Sequence, residues 1–209
     1  MFIDLVNKKV LICGKSGSGK SVLCRFLVRN QLDAFDKVYL ISPTESLNKD
    51  FRGIVPETNI KESFEEDWLE QLFKSLTHIR KFKKEPYNTL LIVDDCGSDE
   101  GFKNSDVLKK IMVRGRHCNL AVIVCLQYIY QIGPLMRSQF NFVCCGQSNQ
   151  QSLGILCDDY LMGPIDKRQF VQMYHKHTQN RKFLVINCDS VEDNENINEI
   201  YGCVLASMD

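Results

Sequence analysis

An α/β domain built around a mostly parallel sheet is the fold class this sequence predicts, and three observations carry it. Short apolar runs of strand length alternate with segments whose apolar residues recur at helical spacing. A glycine-rich loop, Gly14-Lys15-Ser16-Gly17-Ser18-Gly19-Lys20-Ser21, joins the first such run to the first helix. An acidic pair, Asp94-Asp95, ends the third run, and Gln127 ends the fourth. Ligands of such sheets bind beyond the carboxyl ends of the strands, and these three features all fall on that edge.

Taken in order, Lys9 to Cys13 reads as a strand running into the glycine loop. A helix follows from Lys20 to Asn30, with Val22, Leu23, Phe26 and Leu27 at helical spacing. Residues 37–42 form a second strand, stopped by Pro43. Residues 43–61 hold Pro43, Gly53 and Pro56 and read as an irregular connection. Ser63-Phe64-Glu65-Glu66 has the pattern of a capping box opening a helix, whose apolar face is Phe64, Trp68, Leu69, Leu72, Phe73 and Leu76. Residues 89–93 are the third strand, and 105–113 a helix. The run Leu120 to Leu126 is continuously apolar, as a strand covered on both faces would be. A short helix over 132–139, a strand over 140–144, helices around 149–161 and 165–176, and a strand over 183–187 complete the alternation.

The organisation expected is a P-loop ATPase domain over 1–188, with a recognisable core at 8–145 and an extension at 146–188. Residues 189–209 are acidic and asparagine-rich and read as a solvated tail. Among 209 residues, 44% are apolar and 25% charged, the balance of an ordinary globular protein. No apolar run is long enough to span a bilayer, and the N-terminus is too short and polar for a signal peptide. Ten cysteines occur without a Cys-x-x-Cys pair, so they read as small apolar residues in a reducing compartment. Lys+Arg and Asp+Glu both number 26, so any nucleic-acid contact must come from a local patch rather than from a global basic excess.

Residues 14–21 match G-x-x-x-x-G-K-[ST] in full, in the strand–loop–helix context that this phosphate loop (Walker A) requires. Gly14, Gly17 and Gly19 allow backbone N–H groups to turn inward around phosphate oxygens, and the helix N-terminus adds its positive end. Lys15, Ser16 and Ser18 complete the cradle. Lys20 is expected on the β- and γ-phosphates of ATP, and Ser21 on Mg2+. Asp94, at a buried strand end, is the expected Walker B carboxylate for Mg2+ and its waters. Asp95 is expected to polarise the attacking water, and Gln127 to bond the γ-phosphate or that water. A GTPase would need Asn-Lys-x-Asp, which Asn48-Lys49-Asp50 does not supply, and an ABC-type Leu-Ser-Gly-Gly-Gln signature is absent.

A longer segment is more particular: Arg114-Gly115-Arg116-His117 before the fourth strand, Gln127 at its end, and Pro134 to Arg137 before the fifth. Together with the loop and Asp94-Asp95, it resembles the FtsK/HerA superfamily of DNA-pumping ATPases. The likeness is greatest to genome-packaging ATPases of nucleocytoplasmic large DNA viruses, the poxvirus type, and their virophage relatives. It covers roughly residues 8–145. Many members carry Asp-Glu where this chain has Asp94-Asp95, which makes Asp95 a shorter base than usual. The resemblance implies a RecA-like P-loop fold of the additional-strand type, ATP hydrolysis, and translocation of double-stranded DNA into a capsid. It further implies a homo-oligomeric ring, a capsid vertex or portal partner, and a place in the host cytoplasm, viral factory or virion. In such rings a neighbour's arginine completes the nucleotide site; Arg116 and Arg137 match by motif position, with Arg114 a weaker third.

Two basic stretches are candidates for DNA contact: Arg80, Lys81, Lys83 and Lys84 around Phe82, and Lys167-Arg168 through Lys176 to Arg181-Lys182. Taken alone, each reads first as a solvated helix face. Two other functions fit the loop and acidic pair: a small-molecule kinase, and an assembly scaffold that hydrolyses ATP slowly.

Overall fold

A computed structural model describes residues 3–83, 85–161, 163, 165–190 and 196–206. In chain order the elements are β1 (Lys9–Cys13), α1 (Lys20–Arg29), β2 (Lys37–Ile41), α2 (Glu45–Asn48), β3 (Ile60–Lys61), α3 (Glu66–Phe82), β4 (Thr89–Asp94), α4 (Glu100–Asn104), α5 (Asp106–Arg114) and β5 (Leu120–Leu126). They continue with α6 (Pro134–Arg137), β6 (Phe142–Cys145), α7 (Gln150–Tyr160), α8 (Lys167–His177), β7 (Lys182–Asn187), α9 (Ile197–Ile200) and β8 (Tyr201–Leu205).

The eight strands form one sheet in the order β3-β2-β4-β5-β1-β6-β7-β8. β3 through β6 pair in parallel, and β7 and β8 add antiparallel. Every residue of β1, β4, β5 and β6 is buried, because helices cover both faces of a parallel sheet. One face packs on α1 and on Phe51, Ile54 and Val55 of the β2–β3 connection. The other packs on α3, α5, α7 and α8. Cys144 and Cys145 enter opposite cores, as the period of a strand requires. All ten cysteines are free, and eight are buried. No described helix is long and apolar enough to cross a membrane.

Some boundaries differ from expectation for physical reasons. Ser63-Glu66 is not a capping box: α3 starts at Glu66 with Glu65 at its N-cap and no side-chain cap. Ser63 Oγ donates to Glu65, while Glu66 Oε1 accepts from Ser105 Oγ (3.1 Å) and Val107 N (3.2 Å) at the start of α5. A tertiary partner has taken the carboxylate that the local motif would have used. The helix expected over 132–139 is a single turn opened by Gly133-Pro134. The connection 43–61 contains the turn α2 and the edge strand β3.

Of the acidic stretch, 191–195 and 207–209 lie outside the described residues. Within it, Tyr201–Leu205 is strand β8, paired with β7. Its apolar residues Tyr201 and Val204 find a sheet edge to pack on, which composition averaged over the stretch concealed.

Candidate nucleotide site

The phosphate loop leaves β1 between its neighbours β5 and β6 and is tied to both. Gly14 N donates to Leu126 O (3.1 Å) at the end of β5, and Lys15 N to Gln147 O (2.7 Å) just beyond β6. Gly14 is required by closeness: a Cβ there would stand 2.9 Å from Ser18 Oγ and 3.2 Å from Gly146 Cα. Gly17 and Gly19 have φ of +73° and +97°, a region that side chains disfavour. Lys20 is buried at 9% exposure, and its Nζ donates to Lys15 O across the loop (3.3 Å). Ser18 Oγ is buried on the Gly14 side of the loop without a hydrogen-bond partner.

β4 brings Asp94 to the same place. Ser21 Oγ donates to Asp94 Oδ2 (3.1 Å), while Asp94 Oδ1 is buried and unpartnered. Burial pushes the Asp94 carboxyl up to about 6; the Ser21 hydrogen bond opposes this, the Asp95 charge adds to it, and the neighbouring Cys125 thiol and the Lys20 charge oppose it. A buried carboxylate oxygen with a free lone pair beside a serine hydroxyl is an oxygen donor set that suits a hard divalent cation such as Mg2+. Asp95 follows with φ +56° and turns out of the strand. Gln127 Nε2 donates to Asp95 Oδ1 (3.2 Å) from the end of β5. The loop, Ser21, Asp94, Asp95 and Gln127 thus meet at one edge, where the sequence reading expected them.

Arg116 and Arg137 are elsewhere. Arg116 precedes β5, and its charge acts on Lys9 at the start of β1, so it stands at the opposite edge from the loop. Arg137 precedes β6 and is held by Asp159 and by the Ile132 carbonyl. The basic end of α3 lies on that same far edge, where Leu76, Ile79 and Arg80 face Cys118 and Asn119 across a small cleft; Lys84 lies outside the described residues. The second basic stretch divides: Lys167 to Lys176 are on α8, whereas Arg181 lies in the turn before β7 and Lys182 opens that strand, at the loop's edge. An open cavity of about 730 Å³, lined by Glu45, Arg52, Val55 and Glu62 at the β3 edge, is separate from the phosphate loop.

Sequence reasoning missed the wall that β6 and β7 give the loop. A Cβ on Gly146 would stand 2.8 Å from the Phe183 ring, and Tyr174 OH donates to Gly146 O (2.8 Å). The signal was a glycine placed directly after a buried strand, Gly146 after Cys145.

The family model described as Poxvirus A32 protein matches residues 5–206. Protein 088R of Invertebrate iridescent virus 3 is 31% identical over 137 residues, covering 66% of this chain and 52% of that protein. Protein 015R of Frog virus 3 is 24% identical over 192 residues, covering 91% of this chain and 60% of that protein. The chain thus spans between half and three fifths of the length of these relatives. Among solved structures, B204, the DNA-packaging ATPase of Sulfolobus turreted icosahedral virus, aligns with a TM-score of 0.65 at 16% identity, covering 96% of this chain and 98% of that one. The genome-packaging NTPase B204 of Sulfolobus turreted icosahedral virus 2, in complex with ATP-gammaS, aligns with a TM-score of 0.64 at 16% identity, covering 88% and 93%. At these identities the structural likeness speaks to the fold.

Proposed function

The chain belongs to the poxvirus A32 protein family, and from that premise we propose that it is an ATP-hydrolysing motor subunit that moves double-stranded DNA to package a viral genome. One observation carries the chemistry: Ser21 and Asp94 meet at 3.1 Å under an intact phosphate loop, with Asp94 Oδ1 buried and free.

On this reading the loop N–H groups and Lys20 hold the β- and γ-phosphates of ATP, Lys20 exchanging its bond to Lys15 O for one to phosphate. Ser21 and Asp94 would hold Mg2+, which when bound neutralises charge on the phosphates. Asp95 takes the proton of the attacking water as general base. Gln127, already bonded to Asp95, fixes the direction in which that carboxylate points. The amide therefore acts through the base, and need not touch the γ-phosphate itself.

Lys20 serves mainly the bound phosphates, so a further cation is expected for the charge that develops on the γ-phosphoryl group. Arg116 is exposed and makes no ion pair among the described residues, whereas Arg137 is engaged by Asp159. Arg116 is thus favoured as the residue offered to a neighbouring subunit's site in a ring. The capsid vertex or portal as docking partner, and Arg80 to Lys83 or α8 as DNA contacts, belong to the same reading.

Turnover of Mg·ATP by the purified chain, with and without long duplex DNA, tests it. Hydrolysis stimulated by duplex DNA is expected. Phosphorylation of a small acceptor indifferent to DNA, or nucleotide binding without turnover in either condition, would overturn the motor reading.

A further inference from the structure

Arg181 and Ala206, at the ends of β7 and β8, flank the phosphate loop on the side away from Asp94. β7 runs antiparallel to β6, with Cys145 opposite Leu184, so the residues preceding β7 stand at the edge where β1 ends. A Cβ built on Gly19 would lie 3.1 Å from Ala206 Cβ and 4.0 Å from Arg181 Cβ. Gly19 is the N-cap of α1, the last loop residue before Lys20. Ala206 N donates to Arg181 O (3.1 Å), which holds the two flanking residues together.

The backbone at Arg181 is unusual. Asn180 and Arg181 have φ of +53° and +58°, and Lys182 N donates to Gln179 O (3.0 Å) to close the turn. Glycine is the residue such a turn favours, and an arginine there is strained. Strain of this kind persists where the surroundings over-determine it, and it gathers at ligand clamps. Arg181 is exposed and makes no ion pair among the described residues. Its stem is therefore fixed beside the helix N-terminus, while among the described residues no carboxylate pairs with its guanidinium.

We propose that Arg181 is a phosphate-gripping residue of its own chain's nucleotide site, reaching across the N-terminus of α1 onto a phosphate that ATP and ADP share. The inference rests on the loop being a nucleotide site, as proposed above. The chemistry is complementary: Lys20 is a point charge inside the loop, whereas a guanidinium presents a planar fork that donates two parallel hydrogen bonds to phosphate oxygens. Arg181 differs in this from Arg116, which the ring would present to another subunit. It also takes Arg181 out of the DNA-contact stretch in which sequence spacing had placed it.

The test uses the whole chain and equilibrium binding of Mg·ATP and Mg·ADP. Arg181→Gly removes the guanidinium and relieves the left-handed backbone. Affinity for both nucleotides should fall about tenfold to hundredfold, the range of a lost charge-assisted hydrogen bond, while Tm is not lowered. Arg181→Lys should recover part of the affinity. Wild-type affinity in Arg181→Gly overturns the proposal, as does a loss confined to ATP, or a loss matched by a fall in Tm that lysine does not recover. Lys20→Ala separates the two readings. If it abolishes binding while Arg181→Gly retains it, this inference alone fails; if the wild-type chain binds neither nucleotide, the nucleotide-site reading fails with it.

Discussion

Asp94 is pulled in two directions, and each has a measurable consequence. Its carboxyl is only 3% exposed and one oxygen has no partner, so the ionised form is costly while the site holds no cation. A carboxyl raised from 3.8 to about 6 favours the folded chain while protonated, below about pH 4, and that advantage is lost as pH rises through about 6. Two units correspond to about 3 kcal/mol. Asp94→Asn should therefore stabilise the nucleotide-free chain in EDTA by up to about 3 kcal/mol above pH 6, and the two chains should converge below pH 4. Urea unfolding across that pH range checks it. The same variant should lose Mg2+-dependent nucleotide binding. Asp95→Asn differs: its amide keeps the shape and the contact to Gln127 but cannot accept a proton, so Mg·ATP binding should persist while turnover falls at least about 100-fold. Near-normal turnover would move the base elsewhere.

At the scale of elements, the site is held by contacts between strands and helices that are distant in the chain. Gly146 packs between Gly14 and Phe183, and Phe183 is fully buried. A methyl group on Gly146 would press on this buried ring at 2.8 Å, so Gly146→Ala should destabilise the fold by about 1–3 kcal/mol, the cost of overpacking. Because Gly14 lies against Gly146, the variant should also weaken nucleotide binding more than an equally destabilising change far from the loop. Thermal melts and nucleotide titration compare the two. Glu66 joins α3 to the start of α5 through Ser105 and Val107. Glu66→Ala should cost about 1–2 kcal/mol, as loss of a helix cap does, with nucleotide affinity unchanged.

For the whole molecule, the two edges of the sheet divide the work proposed for it. The carboxyl edge carries the loop, Asp94, Asp95, Gln127 and Arg181. The opposite edge carries Arg116 and the basic end of α3. An arginine on the far edge cannot serve its own loop, and in a ring of identical subunits it can serve a neighbour's. Chains with Lys20→Ala lack ATP but keep Arg116; chains with Arg116→Ala hold ATP but lack that cation. Each alone should be nearly inactive, the arginine change costing ~10³-fold or more, and mixing them should restore part of the activity. No recovery in rings shown to be mixed would exclude Arg116 as a group acting between subunits.

Residues 14–21, the acidic pair after an apolar run and the unbroken run Leu120–Leu126 announced the α/β class and the sheet edge at which the proposed phosphate site lies. They could do so because strand period, loop glycines and helix start are properties of neighbours in the chain. The sequence by itself thus determined the class of fold and the edge to which the proposed chemistry is assigned. Only the tertiary structure decided which groups complete each other there. Gln127 meets Asp95 from 32 residues away, and Ser21 meets Asp94 from 73 away. Glu66 leaves its apparent local cap for Ser105, 39 residues on. The acidic end of the chain supplies β8, and with it Ala206 against Gly19. Such pairings depend on burial and on which strands lie side by side, and no local pattern encodes strand order.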